Sequence, residues 1–374
     1  ILEKLSCTVN EISSGKFEIT PPSFRRDLIE SVDLIEEVAR IYGYSNLPTS
    51  SGAYVHYDST SDKDGKFIAS VRETMKENGF YEVVTNSMVL AKDQLAAAAR
   101  AEKELVKLMN PIGEEMGVMR ISMLPSLLEV VRTNLNRKNL DIRIFEIGRT
   151  YHDINGSLPK EKIILAGCAT GKRAPIHWSS KPEAFDFFDL KGILARFGRK
   201  FLLDNIQFNP YHDQEIFSAN SLEILAKEND FSDTILGRFG RLSKTLLRHF
   251  DIDTDVWAFE LNFQKLQALT QSKLIYAPIP RFPSVKRDLA LTLDRKIAAK
   301  ELIEAIRKEA GEHLQLLDVF DVYTGNQIPS DKKSLAFSLI FQSHERTLTE
   351  EEVDTAIKRI LQRTEKQFQA SLRQ

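Results

Sequence analysis

From Val285 onward the chain alternates in a way that leaves few folds open to it. The run VKRDLALTL places Leu289, Leu291 and Leu293 on one side, the two-residue period of a strand with one buried face. AAKELIEAIRKEA follows with helical spacing, LLDVFDVY returns to strand character and ends at Thr324, Gly325 and Asn326, and LAFSLIFQ alternates Leu335, Phe337, Leu339 and Phe341. Thr349 and Glu352 are spaced as a capping box before a helix carrying Val353, Ile357, Ile360 and Leu361, and a short strand is expected near Ala370 to Arg373. The order is βαββαβ, a ferredoxin-like split unit.

Pro278, Pro280 and Pro283 punctuate the chain just before this unit and set a boundary, giving a last domain at 278–374. Upstream, a helix from about Lys63 to Asn78 with Phe67, Val71 and Met75 inward feeds the β-rich run YEVVTNSMV. A strand in ELVKLMNPIGEE, a helix near Leu124 to Leu135, and strands RIFEIGRTY, KIILAGCAT, SLEILAKE, DTILGRFGRL and VWAFELNF follow, with helices around Asp189 to Phe197 and Ser243 to Phe250. This order predicts an α+β domain, an antiparallel sheet with helices packed on it, over 59–277. The Ser-, Gly- and Asp-rich stretch after Pro48 separates it near Ser59 from a small unit at 1–58.

At 374 residues the chain has room for several cores, and its formal net charge of −2 argues against a generally basic nucleic-acid protein while leaving local patches open. Cys7 and Cys168 lie far apart and the seven histidines show no zinc-type spacing. No apolar run approaches the roughly 20 residues that span a bilayer and no signal peptide is visible, so no membrane partner and a reducing cytoplasm are expected. Ile1 opens within what reads as structure, so a fragment of a longer polypeptide is expected.

No phosphate-cradling glycine loop, GxSxG or HExxH occurs, and His152, His177 and His212 have no carboxylate or nucleophile at an orienting spacing. No catalytic residue is assigned.

The small unit holds a sharper pattern. In PPSFRRDLIESVDLIEEVARIYGYSNLP, Val32, Ile35, Ala39 and Tyr42 recur on one helical stripe that Leu34, Val38 and Ile41 widen, while Asp33, Glu36, Glu37 and Arg40 fall opposite. Ser31 reads as the cap and Gly43 as the stop. A solvated acidic face accounts for most of this, but Asp33 and Glu37 form a like-charge i,i+4 pair, with Asp27 close before them. A hard, oxygen-loving cation would remove that repulsion.

In the last domain Arg281, Phe282, Lys286 and Arg287 put cations and an aromatic ring at the entry of the first strand, and Arg346 follows the third. Such groups can hold phosphates and stack a base. Positive and negative charges there are nearly balanced, so a binding patch requires them to segregate on the folded surface.

The string from Pro21 to Pro48 resembles the small metal-binding domain of bacterial phenylalanyl-tRNA synthetase β subunits, and RFPSVKRDLALTLD with FQSHERTLTEEEV resembles that family's ferredoxin-like anticodon-binding domain. The domain order matches over essentially the whole chain. The resemblance implies that Asp27, Asp33, Glu36 and Glu37 ligate a Mg2+ ion shared with the α subunit. It also implies tRNA binding by the last domain, with Arg281, Phe282, Lys286, Arg287 and Arg346 as candidates, and a partner α subunit in an α2β2 heterotetramer that joins phenylalanine to tRNA(Phe) with ATP. The middle domain then looks like a degenerate class II synthetase core. Where active enzymes of that class carry an arginine two positions before a glutamate, Arg143-Ile144-Phe145-Glu146 offers Ile144. The family's proofreading domains lie before the metal-binding one and are not in this sequence, so neither activation of phenylalanine nor editing is expected of this chain. The alternative is a stand-alone nucleic-acid-binding protein with a ferredoxin-like domain; a second is an active ligase in the middle domain.

Overall fold

In the computed structural model, residues 1–49, 52, 62–98, 103–153, 158–203, 206–211, 215–229, 232–270, 276, 278–325 and 327–373 are described. His212, Asn326 and the boundary near Ser59 fall outside them. The chain divides into two units, Ile1–Thr270 and Gln271–Gln374. No helix among the described residues is long and apolar enough to cross a membrane.

The first unit opens with a hairpin of β1 (Thr8–Ser13) and β2 (Lys16–Thr20), followed by helix α1 (Ser31–Tyr42). After α2 (Lys63–Glu77) the run YEVVTNSMV is not one strand: β3 (Tyr81–Glu82) and β4 (Met88–Val89) join different sheets. The alanine-rich stretch forms α3 (Ala91–Ala98), and the strand expected in ELVKLM reduces to one bridge, Lys107 to Val118, beside β5 (Val118–Met119). Then come α4 (Leu124–Asn136), β6 (Ile142–His152), β7 (Lys160–Thr170), α5 (Phe187–Lys200), β8 (Ile206–Tyr211), β9 (Phe217–Asn229), β10 (Ser232–Leu242), α6 (Lys244–His249), β11 (Trp257–Asn262) and α7 (Phe263–Leu269).

Seven strands form one sheet in the order β3-β6-β7-β11-β10-β9-β8, antiparallel except for β3 beside β6. Alternation along β6 sends Phe145 to one face and Ile144 to the other, and each face has its own core. Phe145, Leu165, Phe239 and Phe259 pack with Val71 and Met75 of α2, Leu190 and Phe197 of α5 and Phe263 of α7. Ile144, Ala166, Cys168 and Ala258 pack with Leu124, Leu127 and Leu128 of α4 and Leu246 of α6. Helices thus cover both faces of the sheet.

The second unit has the expected order: β12 (Val285–Asp294), α8 (Ala299–Ala310), β13 (Leu314–Tyr323), β14 (Lys332–Phe341), α9 (Glu350–Phe368) and β15 (Ser371–Leu372). Its sheet runs β13-β14-β12-β15, wholly antiparallel. Leu289, Leu291, Leu293, Leu335, Phe337, Leu339 and Phe341 pack beneath α8 and α9, and among the described residues of this unit no helix lies on the other sheet face. Thr349 caps α9, its Oγ1 accepting from the Glu352 amide, as the capping-box spacing predicts.

Candidate functional site

Helix α1 departs from the sequence expectation at both its start and its faces. Glu30 rather than Ser31 is the N-cap, because the Asp33 carboxylate turns back to accept from the amides of Glu30 at 2.7 Å and Ile29 at 2.8 Å. Those two hydrogen bonds hold Asp33 below the usual carboxylate range. The apolar stripe is not buried: Val32, Ile35 and Tyr42 are exposed, and Leu34, Ile35, Val38 and Tyr42 line an open groove of about 500 Å³ with Leu2, Phe17 and Leu47. The buried side chain of the helix is Glu37.

Glu37 is enclosed because two guanidinium groups converge on it. Arg40 donates from Nη2 at 2.7 Å and Arg25 from Nη1 at 3.1 Å, while Arg25 also grips Asp27 from Nη2 at 2.7 Å and from Nε at 3.0 Å. These donors, Arg25 foremost, push the Glu37 carboxyl down to about 2. Of the four acids singled out in the sequence, Asp27 and Glu37 therefore meet through Arg25, Asp33 caps its own helix, and Glu36 is exposed. Carboxylate oxygens are what a hard cation prefers. The arrangement does not fit one: among the described residues no three His, Cys, Asp or Glu side chains converge as a metal site.

In the seven-stranded sheet, register lines up Glu146 of β6, Ala166 of β7, Glu260 of β11, Arg238 of β10 and Glu223 of β9 as one row across five strands. Ile144, two residues before Glu146, is buried in the core on that face. Glu146 is itself buried and already satisfied: Arg120 donates from Nη2 at 3.0 Å and Thr85 from Oγ1 at 2.6 Å, while Arg120 also holds the Arg149 carbonyl at 2.8 Å. Gly148 makes room for this, since a Cβ there would fall on the Arg120 guanidinium. Glu260 accepts from Ser122 Oγ at 2.9 Å and the Met123 amide at 2.7 Å, and desolvation pushes its carboxyl up. His152, which the sequence left without a partner, meets Glu104 at 2.7 Å. Burial nonetheless lowers its pKa, against the raising effect of Glu104.

The second unit separates the cations grouped in the sequence. Lys286 and Asp288 lie on the helix-free sheet face, 3.4 Å apart. Arg287 has the parity of the buried leucines and reaches Asp354 of α9 at 3.6 Å. Arg346 is engaged with Glu352 at 2.8 Å, Arg281 is exposed, and the Phe282 carbonyl accepts from Gln342 Nε2 at 2.7 Å. The helix-free face also carries Leu316 and Ile340, in register with Lys286, and Phe320 stands 59% exposed at the register shift in β13. Sequence reasoning missed Leu316, Phe320 and Ile340. The alternation in LLDVFDVY was the available signal, but a bulge shifts it by one residue.

Family models match three successive stretches: the "tRNA synthetase B5 domain" at 1–44, the "Phenylalanyl tRNA synthetase beta chain CLM domain" at 49–263, and the "Ferredoxin-fold anticodon binding domain" at 280–373. The chain belongs to the phenylalanyl-tRNA synthetase β-chain family. Similar curated proteins are phenylalanine–tRNA ligase β subunits. That of Methylococcus capsulatus (strain Bath) is 35% identical over 379 residues, covering 100% of this chain and 46% of the relative. That of Legionella pneumophila (strain Lens) is 33% identical over 378 residues, with the same 100% and 46% coverage. That of Geobacter sulfurreducens is 32% identical over 357 residues, 94% of this chain and 44% of the relative. The chain thus spans about half the length of these relatives.

Proposed function

We propose that this chain serves phenylalanine–tRNA ligase as a non-catalytic part of the β subunit, binding tRNA(Phe) through its C-terminal unit and packing against the α subunit in an α2β2 enzyme. The observation that carries this reading is the helix-free face of the β13-β14-β12-β15 sheet, in the region matching an anticodon-binding domain. Phe320, Leu316 and Ile340 give that face apolar surface on which unstacked bases can lie, and Lys286 is placed to meet a phosphate. Arg281 and Phe282 stand at the entry of β12 as further candidates. Arg346 spends its charge on Glu352 and contributes less, whereas Lys286 and Arg287 hold longer, solvent-accessible pairs with Asp288 and Asp354 that a phosphate can displace.

The proposed division is 1–58, a partial magnesium-binding domain with linker; 59–277, a synthetase-like module without catalysis; and 278–374, the anticodon-binding domain. Burial of Glu146 against Arg120, with Ile144 in the core beside it, supports a middle module that holds no ATP phosphate. ATP would be used by the assembled enzyme in the cytoplasm, with chemistry on the α subunit. Magnesium ligation by Asp27, Asp33, Glu36 and Glu37 belongs to that assembly, where ligands from the α subunit would complete the shell.

Co-expression with a bacterial phenylalanyl-tRNA synthetase α subunit tests the reading. A stable complex is expected, with no adenylate formed by this chain alone from ATP and phenylalanine. Adenylate formation by the isolated chain would overturn the non-catalytic assignment.

A further inference from the structure

The carboxylates of the small N-terminal unit are not waiting for a cation; they already hold one. Arg25 bridges Asp27 and Glu37 with three of its nitrogens, Nε and Nη2 on Asp27 and Nη1 on Glu37, and its side chain is only 23% exposed. Glu37 is 9% exposed at its side chain and is enclosed by Arg25 and Arg40, so losing these partners would leave a half-desolvated charge, which is costly. The exposed neighbour Arg26 takes no part in these ion pairs.

We infer that Arg25 and a divalent cation are alternative counter-ions for Asp27 and Glu37, so that a cation binds this unit only by displacing the Arg25 side chain. The reason is geometric as well as electrostatic. Magnesium requires carboxylate oxygens at about 2.0–2.1 Å in near-octahedral geometry. The lone pairs of Asp27 and Glu37 that would serve it now accept the Arg25 N–H groups, and the two positive charges repel at that range. Asp33 would also have to leave the Glu30 and Ile29 amides, whereas exposed Glu36 is free to turn. Arg40 stays on Glu37 in either state, which keeps one oxygen of that carboxylate neutralised. Arg25 thereby sets the cation affinity of the unit and keeps it folded when no metal is bound. This inference rests on the magnesium reading proposed above.

The test compares the full 374-residue chain with Arg25→Gln and Arg26→Gln, by thermal melting in EDTA and in excess MgCl2 and by calorimetric titration with MgCl2. The expected result is a wild-type and Arg26→Gln melt indifferent to magnesium, and an Arg25→Gln melt lowered in EDTA and restored by MgCl2. Magnesium should bind Arg25→Gln about tenfold or more tighter than wild type, the worth of one charge-assisted hydrogen bond removed from competition. If Arg25→Gln melts low and magnesium neither binds nor restores it, the exchange fails, while the magnesium reading falls only if the complex with the α subunit also binds no magnesium. If magnesium instead raises the wild-type melt and Arg25→Gln loses nothing in EDTA, the exchange fails while the magnesium reading stands. Arg25→Lys keeps a charge but cannot bridge both acids. Should Arg25→Gln not fold, Arg25→Lys is expected to show a partial magnesium dependence, and its absence would overturn the inference.

Discussion

Arg120 and Glu146 meet at 3.0 Å with side chains only 3% and 4% exposed, between the turn before α4 and the middle of β6. The pair converts a glutamate on the sheet face into a structural element. Removing either partner strands the other charge in the interior, so Arg120→Ala and Glu146→Ala are each expected to cost about 3–5 kcal/mol. Urea denaturation of the single and double variants measures this, and the double variant should lose much less than the sum.

Gly148 lies over the same pair. An alanine Cβ there would fall on the Arg120 guanidinium, 2.5 Å from Met123 Cε and 3.0 Å from Glu146 Oε1. Gly148→Ala is expected to destabilise by about 1–3 kcal/mol through overpacking. The same denaturation assay checks it, and in the Arg120→Ala background the penalty should shrink.

Glu260 predicts a pH dependence of opposite sign to most carboxylates. Desolvation raises its pKa in the folded chain, so folding retains a proton that the unfolded chain releases near the ordinary 4.5. Its contribution to stability is full below that value and declines as pH rises through the folded pKa. Glu260→Gln should flatten this decline because the amide oxygen still accepts from Ser122 and Met123. Glu260→Ala leaves those donors unpaired and should cost about 1–3 kcal/mol, read from denaturation curves across pH.

Glu352 behaves in the usual direction. The Arg346 guanidinium, with the Thr349 amide, holds its carboxyl down at about 2. Its contribution to the start of α9 is present above the ordinary 4.5 and lost as pH falls toward about 2. Melting temperatures of wild type and Glu352→Gln should therefore differ at neutral pH and converge in acid.

The elements with strong periodicity were legible in the sequence. Leu289, Leu291 and Leu293 face a core as alternation requires, and α4 and α9 begin where leucine spacing and the capping box place them. Weakly patterned pieces were not. β8 carries Pro210 at a sheet edge, where neither alternation nor propensity marks a strand, and YEVVTNSMV reads as one strand although its ends pair with different partners. Period alone does not reveal what stands beside the α1 stripe, which among the described residues is a small hairpin with Leu2 and Leu47. The acids were visible as a set, but Arg25 and Arg120 act across 12 and 26 positions of sequence, and no local pattern announces such pairs. The same holds for the helix-free face, which exists only once β12, β13 and β14 are in register.

If that face reads the anticodon, Lys286→Ala should weaken tRNA binding uniformly and lower the salt dependence by about one phosphate contact. Phe320→Ala should weaken binding without changing the salt slope. Filter binding of each variant over a range of salt distinguishes them, and an unchanged affinity for both would remove the face from the interface.

The central proposal is that this chain recognises tRNA(Phe) through its anticodon rather than as a generic polyanion. Its most direct test is the affinity of the chain for tRNA(Phe) against the same tRNA with its anticodon replaced, at one fixed salt concentration. Replacement is expected to weaken binding about tenfold, the scale of one hydrogen bond to a base edge left unmade, since stacking alone tolerates any base. Equal affinities for the two tRNAs would contradict the account.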